Sequence, residues 1–250
     1  MRASGLGISV RSLGDRLWSG LWKAPSHAPA AGDLRTVSLA GLDLPVRATL
    51  AITVVFVAVV ADYHGTFLPA ELLGPTRDPA TMRVVALERI VLYGAVPLLA
   101  IALLFRDRPS RYGLRIGDWR WGIPLAVAGC AVMTPITLAV ARLPEFRDFY
   151  GPSATGLPDL LVTNALDLVS AEVAFRGFLM FALVRAIGPL GVVVAVLPFA
   201  FSHLGKPEVE TLSTLVGGLL YGWLAWRTGS IAYGAAAHVY ILTLVILAAA

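Results

Sequence analysis

The chain has 250 residues, of which 57% are hydrophobic and only 14% are charged, and its mean hydropathy is +0.76. Soluble domains contain about 25% charged and about 45–50% apolar residues, so a water-soluble core of this length could not bury so much apolar surface. We therefore predict an all-α polytopic membrane protein. The net charge of +4 is explained by membrane topology and does not indicate a nucleic-acid partner, and the single cysteine, Cys130, excludes a disulfide scaffold.

The tail before the first apolar segment carries an amphipathic pattern. Leu13, Leu17 and Leu21 recur every four residues, with Trp18 and Trp22 beside them. This pattern predicts a short helix that lies on the cytoplasmic membrane surface. A mostly disordered tail is the alternative.

Seven apolar segments follow the tail. A hydrocarbon core of roughly 30 Å requires about 20 helical residues. We expect spans near residues 47–66, 86–105, 122–142, 159–185, 189–205, 210–226 and 230–249. The sequence thus predicts a cytoplasmic tail over residues 1–46 and a bundle of about seven transmembrane helices over residues 47–250.

The basic residues predict the orientation of this bundle. The loop between the second and third spans contains five arginines, Arg106, Arg108, Arg111, Arg115 and Arg120. With seven spans, Arg185, Arg227 and the basic tail fall on the same side as this loop. By the positive-inside rule the N-terminus is then cytoplasmic, and we expect a multi-pass protein of a bacterial plasma membrane.

Ionisable side chains inside the predicted spans are the candidate site. Glu172 and Arg176 are four residues apart, so they share one helix face and can pair, while His203 and His238 lie in later spans. At 1.5 Å per residue the three groups Glu172, His203 and His238 lie roughly 20, 21 and 12 Å from the cytoplasmic helix ends, within the hydrocarbon layer. A carboxylate and two imidazoles can activate a water, by general-base action or through a metal such as Zn²⁺. The alternatives are a purely structural ion pair and histidines that only satisfy hydrogen bonds.

Three segments carry a family resemblance. Residues 171–179 read AEVAFRGFL, residues 199–203 read FAFSH, and residues 238–242 read HVYIL. In order and spacing they resemble the motifs E-E-x-x-F-R-G, F-x-x-x-H and H-x-x-x-N of the CPBP family of intramembrane proteases, which includes type II CAAX prenyl endopeptidases and Abi-type proteins. The resemblance covers roughly residues 120–250.

The resemblance implies an intramembrane endopeptidase that hydrolyses a peptide bond of a membrane-associated peptide or protein. It implies that His203 activates the attacking water and that His238 donates a hydrogen bond to the oxyanion. Arg176 would orient the adjacent carboxylate. No cofactor is implied with certainty, and a divalent metal such as zinc is a further possibility whose ligand spacing matches no closed structural site.

Two positions depart from the motifs. The leading glutamate is Ala171, so only Glu172 remains, and the final asparagine is Leu242, which cannot donate a hydrogen bond. Adjacent helix positions differ by about 100° in direction, so Glu172 does not simply replace a residue at position 171. Glu210 is our candidate for a compensating carboxylate. The alternative functions are a catalytically inactive membrane protein that serves in binding or immunity, and a small proton-coupled transporter with Glu172 as the protonatable site.

Overall fold

The computed structural model describes residues 13–64 and 77–250. Within these ranges the chain forms nine helices, confirming the all-α prediction. They are α1 (Leu13–Trp22), α2 (Val46–His64), α3 (Pro79–Leu104), α4 (Trp119–Val140), α5 (Pro144–Tyr150), α6 (157–187), α7 (Leu190–Phe201), α8 (Glu208–Thr228) and α9 (Ala232–Ala249). Short 3₁₀ turns lie at Pro109–Tyr112 and Gly151–Ser153.

The tail contains a small β-hairpin that the sequence analysis did not predict. Strands β1 (Thr36–Leu39) and β2 (Leu42–Pro45) pair antiparallel. The two residues between them, Ala40 and Gly41, have φ angles of 51° and 80°. Positive φ at both central residues is typical of the type I′ turn, whose twist matches that of paired strands. Upstream of the hairpin, α1 is a helix as expected, and its contact with a membrane surface stays a prediction.

Four helices are long and apolar enough to cross a membrane by length and composition, namely α2, α3, α4 and α9. They coincide with the first three predicted spans and the last one, and they support an integral membrane protein. The other three predicted spans correspond to helices of different character: α7 is short, α8 begins with acidic residues, and α6 carries buried charges. The predicted number of seven full spans is therefore not established. The charges of α6 are tolerated because neighbouring helices, and not lipid, surround them.

Four segments of the chain meet at one end of the bundle, where arginines and aspartates form ion pairs. Arg47 Nη1 lies 3.0 Å from both Asp33 Oδ1 and Asp107 Oδ2. Arg111 Nη2 lies 2.8 Å from Asp33 Oδ2, and Arg185 Nε lies 3.2 Å from Asp33 Oδ1. These contacts join the tail, the start of α2, the loop after α3 and the end of α6. The sequence placed the same segments on one side of the membrane, and the assignment of that side to the cytoplasm stays a prediction.

Helix α6 forms the centre of the bundle, because every residue from 170 to 185 is buried. Its middle section, Val173–Met180, is a π-helix, a rare geometry that is frequent at functional sites. The aromatic rings of this section pack against neighbouring helices, with ring centroids 5.3 Å apart for Phe175 and Tyr93 and 5.4 Å apart for Phe178 and Phe105. Other parts of the protein therefore surround the polar residues of this helix on all sides.

Candidate active site

Glu172 lies at the junction between the α-helical and π-helical parts of α6 and is fully buried. Its Oε1 atom is 3.2 Å from Arg176 Nη1 and 3.0 Å from His238 Nδ1. The pairing expected from the four-residue spacing is therefore present in the structure. The same oxygen also connects α6 to α9, a contact between residues 66 positions apart.

Arg176 is 3% exposed, and besides its ion pair with Glu172 it lies against aromatic rings. Its guanidinium carbon lies 3.7 Å from the centroid of the Phe199 ring and 5.5 Å from that of Tyr221. Within the described ranges, its two terminal nitrogens have no hydrogen-bond partner, and neither does Glu172 Oε2. Cation–π attraction, which is strongest where water is excluded, therefore supplements the ion pair and links α6 to α7 and α8.

His203 follows the C-terminal end of α7, in the turn that leads to α8. Its Nδ1 atom is 2.9 Å from the carbonyl oxygen of Phe199, and its ring stands edge-on to the Phe199 ring at 4.5 Å. A carbonyl can only accept, so Nδ1 carries the proton and Nε2 of the neutral ring is an acceptor. Thr211 Oγ1 donates to the carbonyl oxygen of His203 at 2.8 Å and fixes the turn against α8. The histidine is thus held with one nitrogen available as a base.

His203 and His238 both line one partly enclosed cavity of about 40 Å³. A single water requires about 10–15 Å³ measured in this way, so the cavity has room for water. Ala171 and Leu242, the two positions that depart from the motifs, line it as well. Glu172, although described, is not among the lining residues, because it points about 100° away from Ala171 and lies against His238.

The cavity has charged lining residues that the sequence analysis did not select. Asp167 lines it, and its two carboxylate oxygens lie 3.1 and 3.0 Å from Arg89 Nη1. Arg89 also donates to both oxygens of Asp62, at 2.9 and 3.1 Å. The sequence feature that could have indicated Asp167 is its spacing from Ala171. Asp167 precedes Ala171 by four residues and so lies on the same helix face, whereas Glu172 lies on a different face.

Glu210, the candidate compensating carboxylate, does not itself line the cavity in the part of the chain that the structure describes. It accepts a hydrogen bond from Tyr150 and pairs with Lys206 at 2.9 Å, and both of these residues line the cavity. Burial raises the pKa of the Tyr150 hydroxyl well above its usual range, and the adjacent Glu210 raises it further. Tyr150 is therefore a neutral hydrogen-bond donor at neutral pH. Glu210 thus holds two residues of the cavity wall, Tyr150 and Lys206, and its role as a compensating carboxylate stays a prediction.

The donors do not fit a metal ion. Over residues 13–64 and 77–250, no group of three or more His, Cys, Asp or Glu side chains is arranged to hold one. We therefore derive no step through zinc.

A comparison with protein families identifies the region that contains this site. Residues 153–244 match the family model described as type II CAAX prenyl endopeptidase Rce1-like. No match to the chain was found among curated proteins or among solved structures. The matched region contains all three motif segments, so the resemblance to the CPBP family is confirmed, over a shorter stretch than the predicted residues 120–250.

Proposed function

We propose that this chain, which resembles Rce1-like endopeptidases over residues 153–244, is an intramembrane endopeptidase that hydrolyses a peptide bond of a membrane-associated peptide or protein. One observation carries the proposal: histidines from two motifs that lie 35 residues apart, His203 and His238, line the same cavity. General-base hydrolysis requires this arrangement of a base and a second polar group around one water.

The base in this proposal is His203. With Nδ1 bonded to Phe199, Nε2 accepts a proton from a water in the cavity while the water oxygen attacks the peptide carbonyl carbon. The proton then passes to the amide nitrogen as the C–N bond breaks. General-base catalysis of this kind contributes about 10²–10⁴-fold to a rate.

The oxyanion donor is His238. Its Nδ1–H donates to Glu172 at 3.0 Å, so the ring is held in one orientation by a buried carboxylate. When protonated, the same ring presents Nε2–H to the cavity and can stabilise the negative charge on the carbonyl oxygen. Arg176, at 3.2 Å from Glu172, keeps that carboxylate in place.

A second candidate function is a non-catalytic membrane protein that uses the same bundle for binding or immunity. The observation that favours it is the apolar character of Ala171 and Leu242, since both line the cavity and neither can donate or accept a hydrogen bond from its side chain. Under this alternative the cavity would bind without cleaving.

Cleavage of membrane-peptide libraries by the purified protein in liposomes separates the two functions. We expect fluorogenic substrates to be cleaved by the wild type and His203→Ala to lose about 100-fold or more of the rate. His64→Ala, at an exposed histidine at the end of α2, is the matched control and should retain the rate. Equal rates for wild type and His203→Ala would refute the proposed base. Photocrosslinking of peptides without any cleavage would favour the non-catalytic function.

A further inference from the structure

We propose that Asp167 is a catalytic residue of this site, and that its carboxylate accepts a hydrogen bond from the attacking water and orients it toward His203. The inference rests on the proposed function and goes beyond it, because Glu172, the carboxylate of the first motif segment, does not reach the cavity. Among the described residues, Asp167 is the one carboxylate that lines the cavity.

The position of Asp167 follows from helix geometry. Asp167 and Ala171 are one α-helical turn apart in the regular part of α6, so both side chains lie on the face that the cavity exposes. Asp167 is 4% exposed, and its longer side chain reaches the wall on which Ala171 contributes only a methyl group. A carboxylate is thus present on this face, one turn earlier than in the motif.

The electrostatic surroundings keep Asp167 available as an acceptor. Its one described ion-pair partner, Arg89, is shared with Asp62, so one guanidinium faces two carboxylates. A carboxylate has about four lone-pair sites, and contact with the single Nη1 nitrogen leaves others unoccupied. Tyr93 donates to Asp62 at 3.0 Å and so supports the other member of the trio. Asp167 is therefore fixed in position and can still accept from a water.

The step balances with these groups alone. The water donates one hydrogen bond to Asp167 and transfers its other proton to His203 Nε2 as its oxygen bonds to the carbonyl carbon. The proton on His203 goes to the leaving amine when the C–N bond breaks. The hydrogen bonded to Asp167 remains with the new carboxyl group. No oxidant, metal or further reactant is needed.

A pair of isosteric variants distinguishes catalysis from structure. Asp167→Asn and Asp62→Asn each remove one negative charge from the same Arg89, but only Asp167 lines the cavity. In the liposome assay we expect Asp167→Asn to lower kcat about 100-fold with KM within a few-fold, and Asp62→Asn, which removes only a support of Arg89, to lower kcat by less than about 10-fold. The double variant Asp167→Asn with Ala171→Glu returns a carboxylate to the same face and should recover part of kcat.

The outcomes separate this inference from the proposed function. If wild type cleaves, His203→Ala does not, and Asp167→Asn cleaves normally, the role of Asp167 is refuted and the protease remains. If Asp167→Asn and Asp62→Asn lose activity and thermal stability in parallel, Asp167 is only part of an ion-pair network and the inference is again wrong. Should Asp167→Asn fail to fold, Asp167→Glu, which keeps the charge, must retain measurable kcat, and its complete inactivity in a folded protein would overturn the role. Equal cleavage rates for wild type and His203→Ala would refute His203 as the base that Asp167 serves, and absence of cleavage by the wild type would remove the proposed function and this inference together.

Discussion

Replacement of Arg176 by alanine tests the electrostatic core of the site. The change removes the cation 3.2 Å from Glu172 and the guanidinium that covers the Phe199 ring at 3.7 Å. Because Glu172 is fully buried, its carboxylate would retain, among the residues that the structure describes, only His238 as a polar partner. Breaking one side of a buried ion pair typically costs about 3–5 kcal/mol, and a desolvated cation–π contact contributes up to about 2 kcal/mol.

This loss of folding free energy in Arg176→Ala predicts a measurable decrease in Tm. For chains of about 150–250 residues, 1 kcal/mol corresponds to roughly 2–4 °C in Tm, so a loss of about 3–5 kcal/mol predicts a decrease of roughly 6–20 °C. Thermal unfolding in detergent and peptide cleavage in liposomes should be measured on the same preparations. We expect Arg176→Lys to fall between wild type and Arg176→Ala, because an ammonium keeps the charge but lacks the planar guanidinium that stacks on Phe199.

The matched control is Arg147→Ala, at an exposed arginine of α5, which should change Tm by no more than about 1–2 °C. A folded Arg176→Ala protein with wild-type Tm and wild-type activity would show that Arg176 is not the functional partner of Glu172. The assignment of the buried pair as the support of His238 would then be wrong.

Three further predictions concern the buried glutamate of the site, metal dependence and stability in acid. Glu172→Gln should reduce cleavage more than it reduces Tm, and equal losses of folded protein and activity would favour a purely structural pair. Treatment with a strong chelator should leave cleavage unchanged, because the described donors form no metal site; loss that zinc restores would contradict this. Burial opposes the ionisation of Asp33, but Ala30 N–H, Arg47 and Arg111 outweigh it and hold the pKa of Asp33 well below its usual range. A lowered pKa stabilises the fold above the unfolded value of about 3.9 and this contribution is lost as pH falls below it, so Tm should decrease in acid for wild type and less for Asp33→Asn.

Local periodicity explains the part of the site that the sequence predicted. Glu172 and Arg176 pair because residues four apart on a helix are neighbours, and this follows from spacing alone. The contact of His238 with Glu172 spans 66 positions, so only the packing of α9 against α6 determines which nitrogen meets which oxygen. The motif order indicated that these residues share a site, but not that Glu172 would lie behind His238.

The residues missed by the sequence analysis depend on tertiary packing. Asp62, Arg89 and Asp167 come from three helices, and no local pattern shows that one arginine would serve two aspartates. Tyr150 lines the cavity from the end of α5, and its hydroxyl donates to Glu210 near the start of α8, a contact between residues 60 positions apart. Hydropathy likewise marks apolar stretches without showing whether lipid or protein surrounds them, and for this reason it could not separate the buried α6 from a lipid-facing span.

If the proposed protease function holds, the apolar side chains at two lining positions, Ala171 and Leu242, predict a slow enzyme. Loss of one oxyanion donor, as at Leu242, costs about 10²–10³-fold in kcat. Applied to a typical kcat of about 10 s⁻¹, this leaves about 0.01–0.1 s⁻¹, or one turnover every 10–100 s. In the proposed mechanism three polar residues that line the cavity keep a role: His203 is the base, His238 is the oxyanion donor and Asp167 accepts a hydrogen bond from the water. Cleavage followed over hours should therefore detect the activity, and Leu242→Asn, which adds an amide at the lining, should increase kcat if His238 acts as the sole oxyanion donor.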